Sequence, residues 1–125
     1  MTNAVVVVGS LHYDIMVDAP DRPRQGETVT GHKWYPEFGG NGGNQAIAAA
    51  RAGSETRFVG AVGTDSFADL MLSTLQNEGI ATDHVCRIQD HGTGMSVAIT
   101  DRGGDYGAVI VSGANLHIDE KQLES

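Results

Sequence analysis

The chain has 125 residues, enough for one small domain, and sets sixteen acidic against eight basic side chains for a formal net charge of −8. That balance argues against a nucleic-acid binder, which needs a basic stripe, and against docking on an anionic membrane. A single cysteine, Cys86, rules out an internal disulfide and points to a reducing cytoplasm.

Cys86 itself reads as a small apolar strand residue rather than a reactive thiol. No run approaches a membrane span. The apolar run over residues 4–8 is too short for a signal-peptide core and lacks a basic flank.

In chain order, Ala4-Val5-Val6-Val7-Val8 is a continuous run ending at Gly9, which predicts a strand buried on both faces in a parallel sheet. Residues 10–17 follow at once. His12 and Asp14 are two apart and share one face if the chain stays extended. They lie just past the carboxyl end of the first strand, the edge at which open α/β sheets bind ligands. Asp14 is an acceptor suited to a pair of hydroxyls, or else a plain surface carboxylate; two side chains are too few for a metal. Residues 19–26 form a loop by their prolines and glycine. Residues 27–38 read as extended, with Thr28, Val29, Thr30, Trp34 and Tyr35 all strand-prone. This stretch precedes a glycine loop and is placed to fold over it as a flap. Trp34 and Tyr35 either cover a site, form a partner interface, or are ordinary half-buried strand aromatics.

The sequence Phe38-Gly39-Gly40-Asn41-Gly42-Gly43-Asn44-Gln45-Ala46 then opens an alanine-rich run closed by Gly53. Glycine allows positive φ and close backbone approach, the alanines favour a helix with a thin packing face, and Gly53 is a helix stop. The pattern is a glycine-lined turn feeding a helix N-terminus, whose free N–H groups face whatever lies in front. Asn44-Gln45 stands where a phosphate-binding P-loop has Lys-Ser/Thr, and Gln45 stands where a dinucleotide fingerprint has its third small residue. Asn41, Asn44 and Gln45 offer neutral amides, which match hydroxyls. The loop is therefore a polyol cradle, or a turn that only lets a helix pack on a sheet.

Residues 56–62 predict a second buried strand, and Gly63-Thr64-Asp65 a turn with Asp65 as helix cap. Phe67, Leu70, Met71 and Leu75 are spaced for an amphipathic helix over 66–78, stopped by Gly79. A short third strand follows around Val85. Residues 94–100 alternate, with Met95, Val97 and Ile99 on one face, and a turn at 101–105 makes a hairpin with 106–112. The hairpin is expected to pair with the earlier extended segment in a small separate sheet. Gly113-Ala114-Asn115 is a second, weaker candidate for touching a ligand. A helix start follows, with Asp119 as cap and no C-cap before Ser125. The order β, extended excursion, α, β, α, β predicts a parallel α/β core with an insertion. So few core strands leave an edge bare, which reads as the front part of a longer protein, the other reading being a frayed but complete C-terminus.

Taken together, Gly9-Ser10 with Asp14, Pro23, Gly26-Glu27-Thr28, the 38–46 loop with its helix to Gly53, residues 60–65, Thr93-Gly94 and Ser112-Gly113-Ala114-Asn115 resemble the ribokinase-like (PfkB) carbohydrate kinase family, over about residues 5–119. The resemblance implies an α/β fold with a parallel-sheet core and a small β-sheet lid, incomplete in this chain. The whole chain would be the N-terminal part of one such domain, with lid strands within about 11–38 and 95–112. It implies an ATP-dependent kinase acting on the hydroxymethyl group of a pentose or related sugar. Carried over by position, Asp14 would bind sugar hydroxyls, and Gly40 and Asn44 would hold the sugar through loop backbone and amide. His12, Gly39 and Asn41 complete the candidate substrate site. His12 stands where the ribose-specific pattern usually has Asn, and Asn41 where it usually has Lys.

The family's catalytic base is an Asp in a late Gly-Ala-Gly-Asp motif, which this sequence lacks. The residues for ATP, Mg²⁺ and a possible monovalent cation also lie downstream in that family. No catalytic residue is therefore expected in this chain, and these residues alone are expected to be inactive. Two other readings stand beside the sugar kinase: a nucleoside kinase of the same family, and a truncated, non-catalytic sugar-binding or dimerisation module. The lid strands also suggest a homodimer, since edge strands seek partners.

Overall fold

The structure, a computed structural model, describes residues 4–119 and 122. Three parallel strands form the core sheet in the order β1 (Ala4–Val8), β4 (Glu55–Val62), β5 (Ala81–Arg87). Four more form a second, mixed sheet, the lid, in the order β3 (Lys33–Gly39), β2 (His12–Asp18), β6 (Met95–Thr100), β7 (Tyr106–Val111). Its β2–β3 and β6–β7 pairs are antiparallel hairpins, and β2 runs parallel to β6. Helix α1 (Asn41–Arg51) follows β3, α2 (Ser66–Asn77) joins β4 to β5, and a 3₁₀ helix spans Gly113–His117. No helix among the described residues is long and apolar enough to cross a membrane.

Strand β4 is central, and its apolar run is buried from Phe58 to Val62. Phe58, Val62 and Val7 form one core with Leu11, Ala46 of α1, and Ala68, Met71 and Leu75 of α2. Both helices stop at a glycine with positive φ, Gly53 (96°) and Gly79 (77°). At each end the next N–H closes back five residues, Ser54 onto the Ala49 carbonyl and Ile80 onto the Leu75 carbonyl. Ile80 and Leu75 both enter the core, so the stop of α2 is also a packing contact.

Two expectations need correction. Strand β1 is an edge strand buried on one side only: Val7 is covered, while Val6 and Val8 are about half exposed on the other face. Residues 28–31 form no strand despite their propensity. The β2–β3 ladder begins only at Asp18 opposite Lys33, and propensity without a partner does not make a strand. In β6, Met95, Val97 and Ile99 share one face as expected, and Ser96 and Ala98 on the other are the more buried. Cys86 is half-buried in β5. Where a C-terminal helix start was expected, the Asp119 N–H donates to Gln122 Oε1 (2.7 Å) and the Gln122 N–H to the Asp119 carbonyl (3.0 Å). The rest of that expectation falls outside the described residues.

The chain passes between core and lid four times, and the crossings are stitched together. At the first, Leu11 donates its N–H to Asn115 Oδ1 (2.9 Å). Asn115 Nδ2 donates to the carbonyls of Leu11 (2.8 Å) and of Ser112 (2.9 Å), at the fourth crossing. Gly94, at the third, lies so close to the Asn115 amide and the His12 ring that a Cβ there would overlap both. Asp65 caps α2 by accepting from the Ala68 N–H (3.0 Å) and grips the third crossing through the Thr93 N–H (2.9 Å) and hydroxyl (2.6 Å). The Thr93 hydroxyl oxygen in turn accepts from the Gly63 N–H (2.9 Å).

Partial burial pushes the Asp65 carboxyl up, but the hydrogen bonds from Thr93 and Ala68 outweigh it and hold it below its usual value. A depressed folded-state value contributes stability above the unfolded value, about pH 4, and that contribution is lost as pH falls through the folded value. Asp65→Asn is therefore expected to cost stability at pH 7 and to flatten the acid limb of a melting-temperature series below about pH 4. An acid limb unchanged in the variant would remove Asp65 from this role.

Candidate functional site

The first contributor is the β1–β2 crossing. Gly9 and Gly42 meet backbone to backbone: a Cβ on Gly42 would lie 2.7 Å from Gly9 Cα, and one on Gly9 2.8 Å from Gly42 Cα. The Gly43 N–H donates to the Ser10 carbonyl (3.1 Å), locking the start of α1 to the crossing. Gly43 has no room for a side chain, since the Phe38 ring fills that space at 2.6 Å. These two glycines are therefore packing positions.

Gly39 and Gly40 do something else. Gly40 precedes α1 with φ 93°, a left-handed conformation that favours glycine, and a Cβ there would also sit 2.5 Å from the Ser10 carbonyl oxygen. No side chain caps α1 at Gly40, and its first turn contains no acidic residue. Gly39 pairs with His12 across the β2–β3 ladder, and its missing Cβ leaves the space that the Asp14 carboxylate occupies.

Asp14 lies on the His12 face of β2, opposite Glu37 of β3 and Ser96 of β6. The Ser96 hydroxyl donates to Asp14 Oδ1 at 2.6 Å. His12 packs its ring edge against Gly94. The fold thus brings His12, Asp14, Gly39 and Gly40 together. Asn41 opens α1 immediately after them and is exposed. Asn44 is one turn into the helix, its N–H bonded to the Gly40 carbonyl (3.0 Å) and its residue exposed. Asn115, the weaker ligand candidate, instead spends its amide on backbone groups of Leu11 and Ser112. Ser96 escaped the sequence reading: it is 82 residues from Asp14, and no local signal links them.

Two clefts open on the other face of β2. One, of about 230 Å³, is walled by Tyr13, Phe38 and Pro36 against Leu70, Met71 and Thr74 of α2, with Glu37 at its side. The other, of about 390 Å³, runs along Ile15, Val17 and Trp34. Their walls are mostly apolar and include none of His12, Asp14, Gly40, Asn41 or Asn44. Convergent polar groups, rather than enclosed volume, mark the His12–Asp14 face as the candidate site. Among the described residues no group of three or more His, Cys, Asp or Glu side chains is arranged to hold a metal.

The chain is 35% identical to ribokinase of Haemophilus influenzae over 120 residues, which is 96% of this chain and 39% of that protein. Against mouse ribokinase it is 38% identical over 121 residues, 97% of this chain and 38% of its relative. The structure of Arabidopsis thaliana ribokinase complexed with ribose and ATP superposes with a TM-score of 0.86 at 34% identity, over 92% of this chain and 38% of that one. The chain thus spans a little under two fifths of the length of these relatives. The model of the pfkB family carbohydrate kinases matches residues 2–125, and the chain belongs to that family.

Proposed function

We propose that this chain forms the substrate side of an ATP-dependent sugar kinase that phosphorylates a hydroxymethyl group of a pentose or related sugar. The observation that carries the reading is the Asp14 carboxylate held over the Cβ-free Gly39, beside the glycine turn at the head of α1. The ribose and ATP in the Arabidopsis relative support the substrate class. In this reading Asp14 accepts hydrogen bonds from sugar hydroxyls. Gly39 and Gly40 let the backbone come close, and Asn41 and Asn44 offer amides that donate and accept. His12 borders the same face.

ATP and Mg²⁺ would supply the phosphoryl group and the charge neutralisation that its transfer needs. The late Gly-Ala-Gly-Asp motif that carries the family's catalytic base does not occur in this sequence. In this reading the chain's part is to bind and orient the sugar, and by itself it is expected to form no sugar phosphate. Phosphorylation of ribose by the 125-residue polypeptide with ATP and Mg²⁺ would overturn that division of labour. A nucleoside kinase is the second reading, because a nucleoside presents the same ribose hydroxyls to Asp14.

The lid further suits a homodimer. Trp34, Val109 and Val111 are 66%, 68% and 52% exposed, and the register puts them on the face of Ile15 and Val97. Trp34 is thus exposed rather than half-buried, which favours the interface role for it over that of an ordinary strand aromatic; Tyr35, 40% exposed, pairs with Met16 on the opposite face. Sedimentation of the intact gene product is expected to show a dimer that Val109→Lys converts to monomer; a monomeric wild type would refute the pairing.

For the sugar itself, Asp14→Ala is expected to weaken binding by about 1.5–3 kcal/mol, the worth of a hydrogen bond to a charged group. Titration calorimetry with D-ribose and with adenosine checks this and ranks the two substrate classes. Unchanged affinity in Asp14→Ala would remove Asp14 from the site.

A further inference from the structure

We propose that Ser96 is a positioning residue that divides the labour between the two oxygens of Asp14, holding Oδ1 and leaving Oδ2 for a substrate hydroxyl. The inference rests on the sugar-binding reading above and extends it to a residue in a different strand.

Ser96 stands directly across the parallel β2–β6 ladder from Asp14, and only 7% of it is exposed. A serine hydroxyl has one proton to give. Here it goes to Asp14 Oδ1 over 2.6 Å, so it is not free to donate to a ligand. The short distance is that of a charge-assisted bond, the stronger kind. On the other side, Oδ2 occupies the space where Gly39 would carry a Cβ, and Asp14 Cγ lies 2.7 Å from that point. A larger residue at 39 would push the carboxylate away, and loss of the hydroxyl at 96 would release it. Between them the two neighbours leave Asp14 one orientation.

That orientation has a chemical consequence. Oδ2 lies at the residue that leads directly into Gly40 and the head of α1. An acceptor fixed there before the ligand arrives selects a ligand whose hydroxyl donates to it, and it spares the cost of ordering a mobile carboxylate on binding. Ser96 therefore acts on the substrate only through Asp14.

This makes the two residues non-additive in binding. The test uses the intact gene product in four forms besides wild type: S96A, S96T, D14A and the double variant D14A/S96A. Each is titrated with D-ribose and adenosine, and melting temperatures report folding separately. S96A is expected to weaken binding about 3- to 10-fold, less than the full worth of the bond because Ser96 meets the ligand only through the orientation of Asp14. S96T, which keeps the hydroxyl, is expected to stay within about twofold of wild type. In the D14A background, S96A is expected to cause no further loss. A folded S96A that binds like wild type overturns the proposal, as does a loss that adds in full to that of D14A. If S96A does not fold, a weakened S96T that melts like wild type overturns it, and a normal S96T with D14A/S96A equal to D14A supports it. Wild type that binds neither probe would instead overturn the sugar-binding reading, and this inference with it.

Discussion

The fold of this chain depends on one contact made without side chains. Gly9, at the end of β1, and Gly42, in the first turn of α1, touch backbone to backbone, and the Gly43 N–H closes onto the Ser10 carbonyl. Any Cβ at Gly9 or Gly42 would separate the helix from the crossing by more than a packed interior can absorb. With it in place, the chain leaves the core sheet for the lid at the point where the lid returns to start α1. Residues at the two ends of the excursion, His12 and Gly39, therefore face each other across one ladder. The candidate site follows from this closure.

Two readings of the glycine loop, a ligand cradle and a packing turn, turn out to describe different glycines. Gly42 and Gly43 are filled by protein, by the backbone of Gly9 and by the Phe38 ring. Gly40 is required by its positive φ, and Gly39 by the carboxylate of Asp14. One face of the loop buys rigidity, and the other carries the groups proposed to meet the sugar. The stitching at the remaining crossings serves the same end. Asn115 ties Leu11 to Ser112, and Asp65 ties the cap of α2 to Thr93, so the lid strands that carry Asp14 and Ser96 are anchored close to where they leave the core.

Much of this was legible in the residues because the signals were local. The apolar run of β4, the Asp65 cap, the Gly53 and Gly79 stops and the 101–105 hairpin turn all act over a few positions, and each appears where its chemistry places it. What was not legible depends on partners distant in sequence. The valines of β1 read as doubly buried, yet burial is decided by what packs on each face. Thr28 and Val29 have strand propensity but no strand opposite. Pairing of β2 with β6 brings Ser96 to Asp14 across 82 positions, with no local trace of either residue's need for the other. The Gly113-Ala114-Asn115 turn has the chemistry of a ligand contact, and nothing local shows that the Asn115 amide also ties Leu11 to Ser112.

A crystal structure of the intact gene product grown with D-ribose would show whether a sugar sits against the His12–Asp14 face at the head of α1. Sugar hydroxyls are expected within hydrogen-bond distance of Asp14 Oδ2 and the ring close over Gly39 and Gly40, with Ser96 still bonded to Oδ1. A sugar lodged instead in the cleft between Tyr13 and Leu70, with Asp14 untouched, would contradict that placement.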